Sequence, residues 1–343
     1  MFHLAPISLL GRLALVSLSL VAGAATVVQS RINGEIGVIA GNGLMVASLS
    51  FSVSLATTLV IIAVSPRLRR SVARAWRTMR QRLPGPDPGR RLLSPWHLLG
   101  GIGGATFVVA QGVSVPMLGV AVFTIAVVAG QNVNSLLVDR AGLGPAGKKP
   151  LSLLRCLAAT ITTGGVALAV SGQLDSPAFG VAGLVLALVA GAAVAAQQAV
   201  NARVAVAGGS PWAAALFNFS VGWLAVGAVT LVLAAATDEG RRWPDEWFEP
   251  WMLTGGLIGV AFIVVAAVAV SRLGVLLFAL SSIAGQVVGA LALAVFLPTP
   301  GVSVGLTMIL GVLVTGAGAG LAAYWSGDGY QARRQTNRIG DQG

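Results

Sequence analysis

The chain has 343 residues, 56% of them hydrophobic and only 10% charged, with one cysteine and a formal net charge of +11. Soluble domains carry roughly a quarter charged residues, so this composition excludes the ordinary soluble classes and points to a polytopic membrane protein. The lone Cys156 excludes an intrachain disulfide framework. The positive charge lies in loops beside apolar runs rather than in a nucleic-acid-binding patch, so no nucleic-acid partner is expected.

Taken in order, the first apolar span covers about Leu13 to Gln29. Arg12 and the small residues Ala22-Gly23-Ala24 give it the look of a signal peptide. An equivalent segment, Gly191 to Gln197, recurs deep inside the chain, so the stretch belongs to the fold. The polar stretch Gln29 to Glu35 follows, then a second span at about Leu44–Val64. Pro66 to Pro95 is a polar segment with nine arginines and one acid, Asp87, and Pro84, Pro86 and Pro88 end any helix there. It reads as a solvated cytoplasmic loop with a short basic helix on anionic lipid; a regulatory role is the second reading.

Spans three and four run at about Trp96–Pro116 and Met117–Val138, span five at Cys156–Gly172, span six at Pro177–Val200 and span seven at Pro211–Ala236. An acidic loop follows, with Trp243, Trp247 and Trp251 placed as interfacial anchors. Spans eight, nine and ten lie at about Trp251–Ser271, Leu273–Leu297 and Val302–Trp325, and the polar tail over 327–343 is expected to be disordered. About 20 apolar residues at ~1.5 Å rise cross a ~30 Å core, and no span alternates as a barrel strand would. With the N-terminus inside, 19 of the 22 basic residues fall on the cytoplasmic side. The positive-inside rule thus predicts both termini in the cytoplasm.

The chain repeats itself. Leu118-Gly119-Val120, Phe123 and Gly130-Gln131 recur as Leu273-Gly274-Val275, Phe278 and Gly285-Gln286. Trp96, Gly100, Gly101 and Phe107 recur as Trp251, Gly255, Gly256 and Phe262; Gln29, Asn33 and Phe51-Ser52-Val53 recur as Gln197, Asn201 and Phe219-Ser220-Val221. The division is residues 1–172 and 173–326. Five spans per copy is an odd number, so the second copy enters the membrane inverted. The expected fold class is therefore an all-α membrane protein of ten helices in two inverted five-helix repeats. That architecture is common in secondary transporters, with a pathway between the halves; duplication for a larger structural bundle is the other reading.

The patterns Gly-x-x-x-x-x-Gln-x-x-x-Asn (Gly23 to Asn33, Gly191 to Asn201) and Leu-Gly-Val…Phe…Gly-Gln…Ser-Leu-Leu-Val-Asp (Leu118 to Asp139) resemble those of the YdcZ-type inner-membrane proteins of the drug/metabolite transporter superfamily. The resemblance covers about residues 10–325 and makes the chain look like two five-span units fused. It implies a small-molecule exporter of the bacterial inner membrane with a central pathway between the repeats, as a monomer or homodimer. A flippase for a lipid-linked substrate and a structural membrane protein remain alternatives.

No ionisable side chain falls inside a span away from its ends. Small multidrug transporters, which the first repeat resembles in size and composition, carry a coupling Glu in their first helix; here Gln29 and Gln197 are the polar residues, and neither titrates. Glu35 and Asp139 are the nearest acids and the coupling candidates. Gln131 and Gln286, near the middle of their spans, are interhelical glue or substrate-orienting amides. Asn218, Asn33, Asn201 and Asn134 are further candidates, with Asn132 about 100° round the helix from Gln131. Phe51, Phe219 and Trp223, with Phe123 and Phe278, are candidates to line a pathway or to pack. Gly100-Gly101-Ile102-Gly103-Gly104 lacks a following Lys-Ser/Thr and is not a phosphate loop. His3, His97 and Cys156 form no metal or nucleophile set. No cofactor and no enzyme activity are expected.

Overall fold

The computed structural model of the chain describes residues 8–80, 93–145, 147–148, 151, 153–172, 180–236, 248–273, 275–298 and 304–321. The Pro84–Pro88 stretch, the acids from Asp238 to Glu246, Trp243, Trp247, Pro300 and the tail lie outside the described residues. Ten helices are described: α1 (Leu9–Ala40), α2 (Gly43–Val64), α3 (Pro66–Arg80), α4 (Gly100–Ala141), α5 (Leu153–Ser171), α6 (Val181–Gly208), α7 (Pro211–Ala236), α8 (Thr254–Leu273), α9 (Val275–Phe296) and α10 (Leu306–Leu321). Short 3-10 turns at Pro95–Leu99 and Pro250–Leu253 lead into α4 and α8. No strand occurs among the described residues. Helices satisfy their own backbone groups, which is what a hydrocarbon environment requires.

Six of these helical stretches are long and apolar enough to cross a membrane, and three shorter apolar helices accompany them. Val28, Val60, Val189, Leu224 and Leu231 stay exposed on the outside of the bundle. Such an apolar exterior suits lipid and would be a liability in water.

Helix α4 is 42 residues long, about twice a single crossing. Its helical geometry breaks at Gly119, with φ 74° and ψ 158°. Only a residue without a Cβ takes this conformation at low cost. The two arms therefore cover 100–118 and 120–141. The sequence reading placed the break at Pro116; the structure moves it to Gly119. A proline deletes one backbone hydrogen bond, which neighbouring helices and side chains compensate in membrane helices. Positive φ is what turns the chain. The α8–α9 boundary falls at the corresponding place, between Leu273 and Val275.

Helices α1 and α6 run past their expected ends, through Gln29–Glu35 and through Asn201–Arg203 respectively. Polar residues that a hydropathy reading assigns to loops thus continue the helix. Arg31 and Glu35 pair at i, i+4, and Asn33 is fully buried with side-chain partners.

The halves pack by exchange. A Cβ placed on Gly130 of α4 would run into the Leu188 backbone of α6, and one on the equivalent Gly285 of α9 into the Leu20 backbone of α1. Gly191 lies against the Val127 backbone, and its equivalent Gly23 against Ser282. Helices α5 and α10 run antiparallel, with Gly165 against Thr315 and Gly318 against Thr162.

The basic segment folds differently from a free loop over its first half. In α3, Ser71, Ala75 and Met79 recur on one face and are buried. They dock on the turn joining α6 and α7, where Gly208 leaves room for the Ala75 methyl. Trp76 stacks on Phe217 with ring centroids 6.3 Å apart, and the Arg80 guanidinium lies 5.3 Å from the Trp76 ring. Six arginines, Arg67 to Arg80, face outward.

Gly130→Val and Gly285→Val should each abolish a monodisperse species in size-exclusion chromatography, because backbone cannot retreat from a new side chain. Gly164→Val and Gly227→Val, where a Cβ would meet nothing within 4 Å, should leave elution and melting temperature near wild type. Ala75→Leu should overpack the α3 contact by about 1–3 kcal/mol, read as a lower melting temperature with faster tryptic cleavage in α3.

Candidate functional site: a charge-free cavity between the repeats

A small, partly open cavity with room for about one water molecule lies where the first arm of α4, its second arm, α1 and α9 converge. Helix α1 contributes Thr26, Val27 and Ser30, the α4 arms contribute Phe107, Phe123, Thr124 and Val127, and α9 contributes Gln286. The bend at Gly119 brings Phe107 and Phe123 together from the two arms, with ring centroids 6.0 Å apart. The equivalent rings Phe262 and Phe278 meet at 6.2 Å in the other half.

Behind the cavity runs a buried amide and hydroxyl network. Gln111 Nε2 donates to Ser30 Oγ at 2.8 Å, Asn33 Nδ2 donates to Gln111 Oε1 at 2.7 Å, and Ser50 Oγ donates to Asn33 Oδ1 at 3.0 Å. Ser54 Oγ lies within hydrogen-bond reach of both the Ser50 carbonyl, at 2.8 Å, and the Gly256 carbonyl of α8, at 2.9 Å, sharing its one proton between its own helix and the second half. Gln111 and Asn33 are fully buried, so each of these bonds replaces a costly unmet polar group.

A second network occupies the equivalent place in the other half. Gln197 Nε2 and Asn201 Nδ2 both donate to Asn218 Oδ1, at 2.8 and 3.0 Å. Asn218 is buried, and its Nδ2 has no hydrogen-bond partner. Its equivalent in the first copy is Ser50, which has no such donor.

Glycines make room for both networks. A Cβ on Gly100 or Gly104 would stand 2.7 Å from Asn201 Oδ1 or Gln197 Nε2. One on Gly255 or Gly259 would stand 2.9 Å from Asn33 Oδ1 or 3.3 Å from Gln29 Nε2. The Gln-x-x-x-Asn of each copy thus lies on the Gly-x-x-x-Gly of the other.

Of the residues singled out from sequence, the structure brings Gln286 and Phe123 to the cavity and places Gln29, Asn33, Gln197, Asn201 and Asn218 in the flanking polar layers. Phe51 and Phe219 pack against each other edge to face, at 5.7 Å and 72°. Gln131 is half-buried and does not line the cavity. Its neighbour Asn132 is buried and donates to Thr162 Oγ1 at 3.1 Å, while Asn134 donates to the Ala192 carbonyl at 2.6 Å. Trp223 is 43% exposed on the outer side, where its Nε1 donates to Ser52 Oγ at 3.0 Å. Glu35 pairs with Arg31 at 2.9 Å and Asp139 with Arg155 at 2.7 Å. Neither acid lines the cavity.

Gln111, Ser30, Thr26, Thr124 and Phe107 are site residues that the sequence reading did not single out as such. Gln111 carried a usable signal, a lone amide within an apolar run. Its equivalent in the second copy is Ala266, so a search for duplicated amides passes over it.

Among the described residues the chain is a helical bundle with an apolar exterior and a small, charge-free cavity at its internal seam, the build of a polytopic membrane protein. A family model described as "Putative inner membrane exporter, YdcZ" matches residues 14–168 and again residues 182–321. The chain belongs to this family and is a multi-pass inner-membrane protein of the exporter type. No curated protein matches it.

Gln111→Leu should destabilise the protein by about 1–2 kcal/mol, since Asn33 and Ser30 each lose a partner. Asn218→Leu should cost more than Asn218→Ser, because serine keeps an acceptor for Gln197 and Asn201 and removes the unmet donor. Thermal melts of the purified variants give the order directly.

Proposed function

We propose that the chain is a secondary exporter that moves a small molecule across the inner membrane by alternating access. In this reading ten spans form two inverted five-helix units over residues 1–172 and 173–326, with both termini in the cytoplasm. The two arms of α4 count as two spans, and α3 stays at the surface. The observation that carries the reading is the cavity itself: its walls come from α1 and α4 of one copy and α9 of the other. The exchanged contacts support two copies that rock against each other. When the halves exchange roles, the repeat-related counterparts of the cavity residues, Phe262 and Phe278 of the second copy and Gln131 of the first, take over the open side. The Gln286 amide orients substrate, while Glu35 and Asp139, each held by an arginine, serve the structure rather than coupling.

Cysteine accessibility tests this. In a Cys156→Ser background, Gln286→Cys and Gln131→Cys are labelled with a membrane-impermeant maleimide from each side of sealed vesicles. Alternating access expects each position to react from both sides, with opposite preference for the two. Reaction of both positions from one side only would sink the mechanism. Asp139→Asn should lower the melting temperature by freeing a buried guanidinium at Arg155; a variant that melts normally but loses pH-dependent flux would instead mark Asp139 as a coupling group.

A further inference from the structure

The hydrogen-bond inventory of the cavity says what kind of molecule it suits. Three hydroxyls line it, and each has spent its proton on its own helix. Thr26 Oγ1 donates to the Gly23 carbonyl at 2.7 Å, Ser30 Oγ to the Thr26 carbonyl at 2.8 Å, and Thr124 Oγ1 to the Val120 carbonyl at 2.7 Å. A hydroxyl has one proton and two lone pairs, so what remains for the cavity is acceptor capacity. Ser30 uses part of its own on Gln111 Nε2. Gln286 completes the polar surface. Its Nε2 makes only a long contact of 3.5 Å, with Ser282 Oγ, which leaves its amide able both to accept and to donate.

This pattern discriminates among ligand classes. An anion brings lone pairs to a wall of lone pairs and finds a single amide to donate to it. A cation finds acceptors, but no lining side chain carries a charge to offset it, and an uncompensated charge at this depth is strongly disfavoured. A hydroxyl group matches both needs: it donates to a threonine oxygen and accepts from the Gln286 amide. Phe107 and Phe123 supply an apolar wall for the rest of the molecule.

We infer that the cavity binds a small uncharged molecule with a hydroxyl group on an apolar or aromatic body, an alcohol or phenol in class. The inference rests on the transport reading only for the fate of that molecule, not for its binding. In this structure the space clear of atoms admits about one water, so such a ligand enters by moving the lining apart.

A matched series tests it on the full-length purified protein: 2-phenylethanol, its methyl ether, the corresponding trimethylammonium compound and phenylacetate, each titrated while melting temperature is followed. A ligand of the native state raises that temperature saturably by mass action. The expected result is a saturable shift with 2-phenylethanol, and roughly tenfold or more weaker action of the ether, because a site built for a hydroxyl is left with unmet groups. Thr124→Val and Gln286→Leu should bring the alcohol down to the level of the ether. Stronger binding of the ammonium compound or of phenylacetate, sensitive to either substitution, would overturn the class. Equal shifts with alcohol and ether, no saturable shift with any probe, or shifts indifferent to both substitutions would overturn it too, leaving the cavity as a water site. Flux of the same compounds from proteoliposomes separates the two readings. Binding without movement defeats transport and leaves the binding class standing, whereas Gln286-dependent movement of a charged compound does the reverse.

Discussion

Two helices in lipid gain nothing by hiding apolar surface from each other, because the lipid is as apolar as they are. What holds them is close contact, and close contact needs small residues. In this protein the decisive contacts are backbone to backbone: Gly130 on Leu188, Gly285 on Leu20, Gly191 on Val127 and Gly23 on Ser282. All four join one half to the other. The same economy of side chain at Gly100, Gly104, Gly255 and Gly259 opens the slots in which the amides lie. Remove the glycines and both the seam and its polar lining lose their geometry.

The amides make the seam specific as well as tight. In hydrocarbon an unmet amide is expensive, so Asn33, Gln111, Ser30 and Ser50 lock a single arrangement of α1, α2 and α4. The Asn218 network is less complete: one acceptor serves two donors, and one donor is left over. The two halves are alike in pattern and unequal in satisfaction.

The bend at Gly119 has a second effect. It folds a 42-residue helix back so that Phe107 and Phe123 meet across it and close one side of the cavity. The cavity then contains hydroxyls, one amide and aromatic rings, with no charge. Its chemistry is therefore set by which protons are already spent, and the intrahelical bonds of Thr26, Ser30 and Thr124 decide that.

Much was legible in the residues alone. Low charge and long apolar runs demanded a membrane-spanning helical fold, because no other backbone arrangement of these runs satisfies itself in lipid. The duplication was visible through Gly-Gln, Gln-x-x-x-Asn and Phe-Ser-Val, since residues kept in pairs survive in any alignment of the chain with itself. Helix ends were less legible, as α1 and α6 continue through polar residues whose partners lie on other helices or loops: Asn33 meets Gln111, 78 residues on, and Arg203 meets the Gly142 and Leu143 carbonyls, 61 and 60 residues back. The choice between equivalent residues was beyond sequence altogether. Gln131 and Gln286 sit in the same motif, yet only Gln286 lines the cavity. That asymmetry arises from how two similar halves lean on each other, a long-range balance of packing that no local pattern encodes.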